Sequence, residues 1–238
     1  MSSIINAYRN IISDNSWFVK AVIMTIPVFM LLNFALGKEG GINETNIAMA
    51  IIAGCLYLGV GTYIMNRNIN NNSPILPNLL GIPELLFHTF FSIIIVAPAT
   101  ALCLYALKMV YTYLSFEMYI MILLYLIVVV IFTPFIFIPL CLYAVEGKIM
   151  NVFNFKPLIE GGGNFIVAIF AFLIQYVFTI LLVWFLFYTI LSAMMKDNLL
   201  INALNSFFII LTFLTFFSYV SDQYGETIPD PRKQQDIF

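Results

Sequence analysis

The pair of residues best suited to chemistry is Glu84 and His88, which are four residues apart in the sequence. This spacing places both side chains on one face of a helix. His88 is the only histidine in the chain, and imidazole is the side chain that changes its charge near neutral pH. A carboxylate beside it could relay a proton or contribute to a metal site. Two ligands from one helix do not complete a metal site, so we interpret the pair first as interfacial anchors and keep both residues as candidate functional residues.

Gln175 is the third candidate, because it lies near the centre of a long apolar run. A transporter could use such an amide to hold a substrate, whereas an amide inside a membrane more often forms a hydrogen bond to a neighbouring helix. We favour the second interpretation. The cysteines Cys55, Cys103 and Cys141 lie inside apolar runs without a second Cys or a His at ligand spacing. We therefore predict no catalytic residue, no metal site and no cofactor.

The elements that position these residues are predicted to be membrane-spanning helices. Of the 238 residues, 62% are hydrophobic and 9% are charged, whereas a soluble domain contains about 25% charged residues. Several apolar runs are longer than the roughly 20 residues that a helix needs to cross a bilayer. The run over residues 120–140 is apolar on every face, which excludes the alternating pattern of a barrel strand. The sequence therefore predicts an all-α polytopic transmembrane helix bundle with about six spans.

Three regions are predicted along the chain: an interfacial amphipathic helix over residues 1–16, a six-helix transmembrane domain over 17–220, and a polar C-terminal tail over 221–238 that we expect to be irregular. The spans are predicted at residues 17–36, 47–65, 82–111, 118–145, 164–194 and 199–220. Asp14 and Asn15 are candidate caps for the first span. Trp17 and Lys20 are predicted to be its interfacial anchors.

The second predicted span contains the most small residues. Gly54, Gly59 and Gly61 within it predict close packing against neighbouring helices, since helices in lipid associate through tight contact. Polar connectors containing proline are predicted at residues 66–81 and 146–163. The second connector ends in three glycines, residues 161–163. No Lys-Ser or Lys-Thr follows them, as a phosphate-binding loop would require, so we interpret them as a flexible joint.

The distribution of basic residues predicts the orientation of the bundle. One side would hold Arg9, Lys20, Arg67, Lys148, Lys156, Arg232 and Lys233, and the other would hold Lys38, Lys108 and Lys196. The side with more basic residues is expected to be cytoplasmic. Both termini would then lie in the cytoplasm of a prokaryotic cell, with the bundle in its cytoplasmic membrane. We expect the N-terminal helix, the two connectors, Glu84 and His88 to meet on this face.

Three stretches of the sequence resemble one known family. They are Asp14-Asn15-Ser16-Trp17 with Lys20, then Gly61-x-Tyr63 followed by Arg67 and Leu76-Pro77, and finally Phe153 and Phe155 followed by Asn164-Phe165. Together they resemble an uncharacterised prokaryotic multi-pass membrane family, domain of unknown function 4013. The resemblance covers nearly the whole chain and implies six helices. It implies no activity.

These observations favour a non-catalytic scaffold or accessory subunit of a membrane complex, because the chain combines a span rich in small residues with short loops. Its expected partners are the lipid bilayer and either partner membrane helices or further copies of itself. Nucleic acid is excluded, since no basic patch with interleaved aromatic residues occurs. The competing hypothesis is a small transporter or channel subunit, motivated by spans that proline interrupts. An intramembrane enzyme ranks third.

Overall fold

The computed structural model describes residues 4–36, 44–78, 81–113, 118–194 and 198–227. The α-helices in these ranges are α1 (Ile4–Ile12), α2 (Trp17–Leu36), α3 (Glu44–Ile69), α4 (Ile82–Tyr113), α5 (Met118–Glu146), α6 (Lys156–Tyr176), α7 (Leu182–Met194) and α8 (Asn198–Thr227). A 3₁₀ turn, Ile149–Phe153, precedes α6. A π-helical segment, Val177–Leu181, joins α6 to α7 as one continuous helix.

Most of these helices are long and apolar enough to cross a membrane. By length and composition, the described part of the chain contains five such spans: Ile47–Ile69, Ile82–Tyr113, Ile120–Glu146, Lys156–Ile190 and Leu199–Glu226. The helices α1 and α2 meet at an angle of 101° and give a sixth span if they are counted as one bent unit. The predicted all-α bundle with about six spans and a short N-terminal helix is confirmed. Residues 37–43, between the first two predicted spans, and 114–117, between the third and fourth, lie outside the described residues.

The predicted joint at residues 161–163 is wrong, because α6 already begins at Lys156 and contains all three glycines. Pro157 lies in the first turn of α6, where its missing N–H leaves no bond unmade and its fixed φ favours a helix. Gly161 and Gly162 are buried, and Gly162 faces Pro134 of α5. These glycines therefore belong to a helix contact.

Two other predicted boundaries also fall inside helices. The helix α3 continues to Ile69, four residues into the predicted connector, and α8 continues to Thr227, beyond the predicted start of the irregular tail. The reason at α8 is packing, since Gln223 and Tyr224 are buried beyond the apolar run. Polar residues that pack inside the bundle thus extend both helices.

Burial is concentrated at one end of the bundle, which we call the polar end. There the α1–α2 turn (residues 13–16), the C-terminal ends of α3, α5 and α8 and the start of α4 lie together. In α5 every residue from Leu140 to Val145 is buried. In α7, at the opposite or open end, large side chains such as Phe185 and Leu186 are more than half exposed.

The helix α3 lies close to its neighbours at two of its predicted packing glycines. A Cβ atom on Gly59 would lie 2.9 Å from the Cα atom of Thr89 in α4, and one on Gly61 would collide with the ring of Phe217 in α8. Gly54 is different, because a Cβ atom there would meet nothing within 4 Å. The predicted packing role therefore does not hold for Gly54, which faces open space on the outer surface of α3.

Gly59→Ala should destabilise the purified protein by about 1–3 kcal/mol, because the added methyl group would collide with the backbone of Thr89. Gly54→Ala is the matched control and should leave the stability unchanged or raise it, since alanine favours a helix over glycine. Thermal unfolding in a mild detergent would measure both variants. Equal melting temperatures for the two variants would contradict the close contact of α3 with α4.

Candidate functional site

A buried ion pair joins the α1–α2 turn to the loop after α3. The Nζ atom of Lys20 lies 2.8 Å from Oδ2 of Asp14, and their side chains are 8% and 3% exposed. Lys20 also donates a hydrogen bond of 3.1 Å to the carbonyl oxygen of Leu76. Lys20 was predicted to be an interfacial anchor. That prediction is wrong, because its ammonium group is held inside the protein.

The turn itself holds the carboxylate of Asp14 in place. The backbone N–H of Ser16 donates to Oδ1 of Asp14 over 3.0 Å, and the Ser16 hydroxyl donates to the same atom over 2.9 Å. Burial raises the pKa of Asp14, but the hydrogen bonds from Lys20 and Ser16 and the charge of Lys20 outweigh burial and lower the pKa below its ordinary value. The folded protein therefore favours an ionised Asp14.

The asparagines at the end of α3 bind backbone carbonyl groups of α5 and α8. The side-chain amide of Asn66 donates to the carbonyl oxygen of Ala144, and that of Asn70 donates to Val145 over 3.2 Å. The amide of Asn68 reaches α8, where it lies 3.2 Å from the carbonyl oxygen of Ser218. The last carbonyl groups of a helix have no partner within that helix. Asn66 and Asn70 therefore cap the end of α5, while Asn68 joins α3 to the body of α8.

Asp222 of α8 lies at the centre of a second polar network. Its Oδ1 atom accepts a hydrogen bond of 2.6 Å from Asn68, and its Oδ2 atom accepts one of 3.4 Å from Asn10 of α1. The amide of Asn68 also lies 2.7 Å from the hydroxyl oxygen of Ser221. These donors tie α1, α3 and α8 together. All of them are neutral, so they do not balance the charge of an ionised Asp222.

Glu84 and His88 separate in the structure. The carboxylate of Glu84 is half exposed and lies 3.9 Å from the guanidinium group of Arg67. His88 is buried, and its ring packs edge-on against Tyr63 of α3 and Tyr143 of α5, with centroid distances of 6.0 and 5.9 Å. Its Nδ1 atom and the hydroxyl group of Tyr143 are buried without a hydrogen-bond partner among the described residues. His88 therefore serves as a packed aromatic side chain between three helices.

The α3–α4 interface beside His88 contains a short hydrogen bond between the two helices. The hydroxyl groups of Thr62 in α3 and Ser92 in α4 lie 2.6 Å apart, and both residues are fully buried. Ser92 also donates to the carbonyl oxygen of His88 over 2.5 Å. This contact lies on the same α3–α4 interface as Gly59, whose missing side chain lets the two backbones approach.

Gln175 lies at a different interface from Glu84 and His88. Its Oε1 atom accepts a hydrogen bond of 3.1 Å from the backbone N–H of Ile4, the first residue of α1. The first N–H groups of a helix have no acceptor within that helix. Gln175 of α6 supplies the acceptor for Ile4. The three predicted candidates therefore do not share one cavity, and the residues that the prediction missed are Asp14, Asn68 and Asp222.

Two of the stretches that carry the family resemblance meet at the buried ion pair. Asp14, Ser16 and Lys20 come from the first stretch, and Leu76 comes from the second. Arg67, also from the second stretch, donates to the hydroxyl oxygen of Tyr63 over 3.0 Å. This convergence gives these residues a structural role, and membership of that family stays a prediction.

The titratable side chains at the polar end do not gather into a metal site. In the described ranges, no three residues among His, Cys, Asp and Glu are placed so that they could hold one ion. Comparisons of the chain with known protein families, with curated proteins and with solved structures find no match. The hydrogen bonds of the polar end connect helix ends, turns and loops to one another.

Asp14→Asn should destabilise the protein by about 3–5 kcal/mol at pH 7, because the ammonium group of Lys20 would stay buried without its counter-charge. The double variant Asp14→Asn with Lys20→Met should lose less stability. Because the pKa of Asp14 is lower in the folded than in the unfolded state, its stabilising effect is complete above about pH 3.9 and is lost as the pH falls through the folded-state pKa. Unfolding in detergent across this pH range would measure both effects.

Glu160→Gln provides the control for a surface pair, since Lys156 and Glu160 lie 3.9 Å apart with side chains 64% and 55% exposed. It should change the stability by no more than about 1 kcal/mol. A single Asp14→Asn variant as stable as the double variant would contradict the buried pair.

Proposed function

We propose that this multi-pass membrane protein is a non-catalytic scaffold or accessory subunit of a membrane complex. The observation that carries the proposal is an apolar groove between α2 and α8 with a volume of about 400 Å³. It opens on the outer surface of the bundle, and its lining includes Phe18, Val22 and Ile26 of α2. These three side chains are 56%, 42% and 51% exposed and repeat at intervals of four residues.

A transmembrane helix of a partner protein would fit this groove. The floor of the groove includes Ala203 of α8, whose small side chain lets another backbone come close. The rim residues of α2 lie on one helical face and could interdigitate with the side chains of a partner. Phe18 already packs edge-on against Phe207 of α8, with a centroid distance of 5.8 Å, and closes one end of the groove.

The positions of the polar candidates favour a scaffold over a transporter. Gln175 binds the start of α1, Glu84 faces Arg67, and His88 packs among aromatic rings. A small transporter that used these candidates would hold its substrate between the three side chains. Their hydrogen bonds and ring contacts instead connect helices, which is the task of a structural component.

Ala203→Phe should abolish association with a partner by filling the groove from its floor. Ala101→Phe on the exposed face of α4 is the matched control, because it adds the same side chain at a position outside the groove. The measurement is the mass of the complex extracted from native membranes in mild detergent, with the melting temperature of each variant as a folding check. A wild-type protein that remains a monomer, or an Ala203→Phe variant that keeps its complex, would contradict the scaffold proposal.

We also propose that the polar end faces the cytoplasm. Arg9, Arg67, Lys148 and Lys156 belong to the predicted cytoplasmic side, and the prevalence of basic residues there supports this orientation. The membrane would be the cytoplasmic membrane of a prokaryote, as the resemblance to a prokaryotic family suggests.

Labelling of single cysteines would test the orientation. In a variant lacking the three native cysteines, Asn72→Cys is exposed in the loop after α3, and Tyr113→Cys is exposed at the other end of α4. A maleimide that cannot cross membranes should label Tyr113→Cys in intact cells and Asn72→Cys only after permeabilisation. The reverse pattern would place the polar end outside the cell.

A further inference from the structure

A second apolar groove lies beneath α1 and has a different shape from the groove between α2 and α8. Its volume is about 460 Å³, and α1, the π-helical segment with α7, and α8 form its walls. Ile5 and Tyr8 line it from α1, Ile180 and Val183 from the opposite wall, and Leu211 from α8. The π-helical segment inserts an extra residue into one turn, a feature that often occurs at functional sites.

The threonine hydroxyl groups along this groove are already bound within the protein. Thr179 donates to the carbonyl oxygen of Gln175 over 2.5 Å, and Thr215 donates to that of Leu211 over 2.7 Å. The hydroxyl groups of Thr212 and Tyr176 lie 3.0 Å apart. The threonines of the groove thus direct their hydroxyl groups to the protein, and apart from the Tyr8 hydroxyl group the surface left for a ligand is hydrocarbon. An acyl chain has the matching chemistry.

A polar recess of about 400 Å³ lies along the same helix, lined by Asn6, Arg9, Asn10, Asp222 and Glu226. It combines one guanidinium group with two carboxylates. The hydrogen bonds that Asp222 accepts from Asn10 and Asn68 come from neutral amides. A ligand that carries both a phosphate and a cationic group would match these charges.

One face of α1 connects the groove to the recess. Ile5 lines the groove and is 64% exposed, while Arg9 lines the recess four residues later on the same helical face. A molecule lying along this face would contact hydrocarbon at one end and charged groups at the other. A phospholipid has this arrangement of a polar head group and apolar chains.

We propose that α1 forms a binding site for a zwitterionic phospholipid whose head group carries a primary ammonium group. One acyl chain occupies the groove beneath α1. The phosphate contacts Arg9, and the ammonium group contacts Asp222. The site binds one lipid and performs no chemical step, and it lies next to the partner groove between α2 and α8, with which it shares Phe207.

The acyl-chain half of the proposal is tested by filling the groove. Val183→Trp would occupy it, and Val129→Trp on the outer face of α5 is the matched control, since both valines are about half exposed, at 57% and 47%. The probe is phosphatidylethanolamine with a spin label on one acyl chain, in nanodiscs containing the intact protein. Beyond the lipid shell that any spanning protein restricts, the wild type and Val129→Trp should show the restricted signal of one further lipid per protein, and Val183→Trp should lose this further signal.

Ile5→Trp, which fills the groove from the opposite wall, should lose the signal as well and guards against a folding defect of Val183→Trp. A restricted signal that is unchanged in both groove variants would overturn the acyl-chain assignment.

The head-group half is tested by comparing phosphatidylethanolamine with phosphatidylglycerol, which lacks the ammonium group. The wild type should prefer phosphatidylethanolamine by roughly tenfold, the effect of about one charge-assisted hydrogen bond. Asp222→Asn keeps an acceptor for Asn68 but removes the charge, so it should abolish this preference. Equal binding of the two lipids by the wild type, or an unchanged preference in Asp222→Asn, would overturn the head-group assignment.

Discussion

The need to satisfy polar groups at helix ends shapes the whole polar end of this bundle. Water is absent from the hydrocarbon core and scarce near it, so every unpaired carbonyl or N–H group there carries a large cost. The chain meets this need with side chains from neighbouring helices. Asn66 and Asn70 bind the last carbonyl groups of α5, and Gln175 binds the first N–H group of α1. Each bond joins two helices, so satisfying the backbone also fixes the tertiary structure.

The buried pair of Asp14 and Lys20 applies the same logic to charge. An ammonium group in an apolar setting is tolerated only with a counter-charge and further acceptors, and here Asp14 and the carbonyl oxygen of Leu76 supply them. The pair connects the α1–α2 turn with the loop after α3, which are far apart in the sequence. This pairing fixes the turn that leads from α1, which lines both the groove and the recess, into α2.

The sequence was sufficient for the architecture but only partly for the site. Long apolar runs predict spans directly, because the thickness of the bilayer sets a helix length, and Gly59 and Gly61 are small residues at true helix contacts. The chain gives no comparable signal for long-range pairs. Asn68 and Asp222 are 154 residues apart, and nothing in either local sequence specifies the other. Lys20 looks like an interfacial anchor by its position at the start of a span, and only the fold reveals its partners.

The unequal packing of the two ends has a consequence for how the protein fits membranes of different thickness. At the polar end, Lys20 and Asn68 hold the helices in fixed positions through buried and half-buried contacts. At the open end, α7 presents exposed apolar side chains and has few neighbours to restrain it. A mismatch between a bilayer and the hydrophobic length of a protein is relieved by tilting or bending of helices. In this bundle we expect the helices to tilt or bend at the open end. The polar end should keep the same geometry in thin and in thick bilayers.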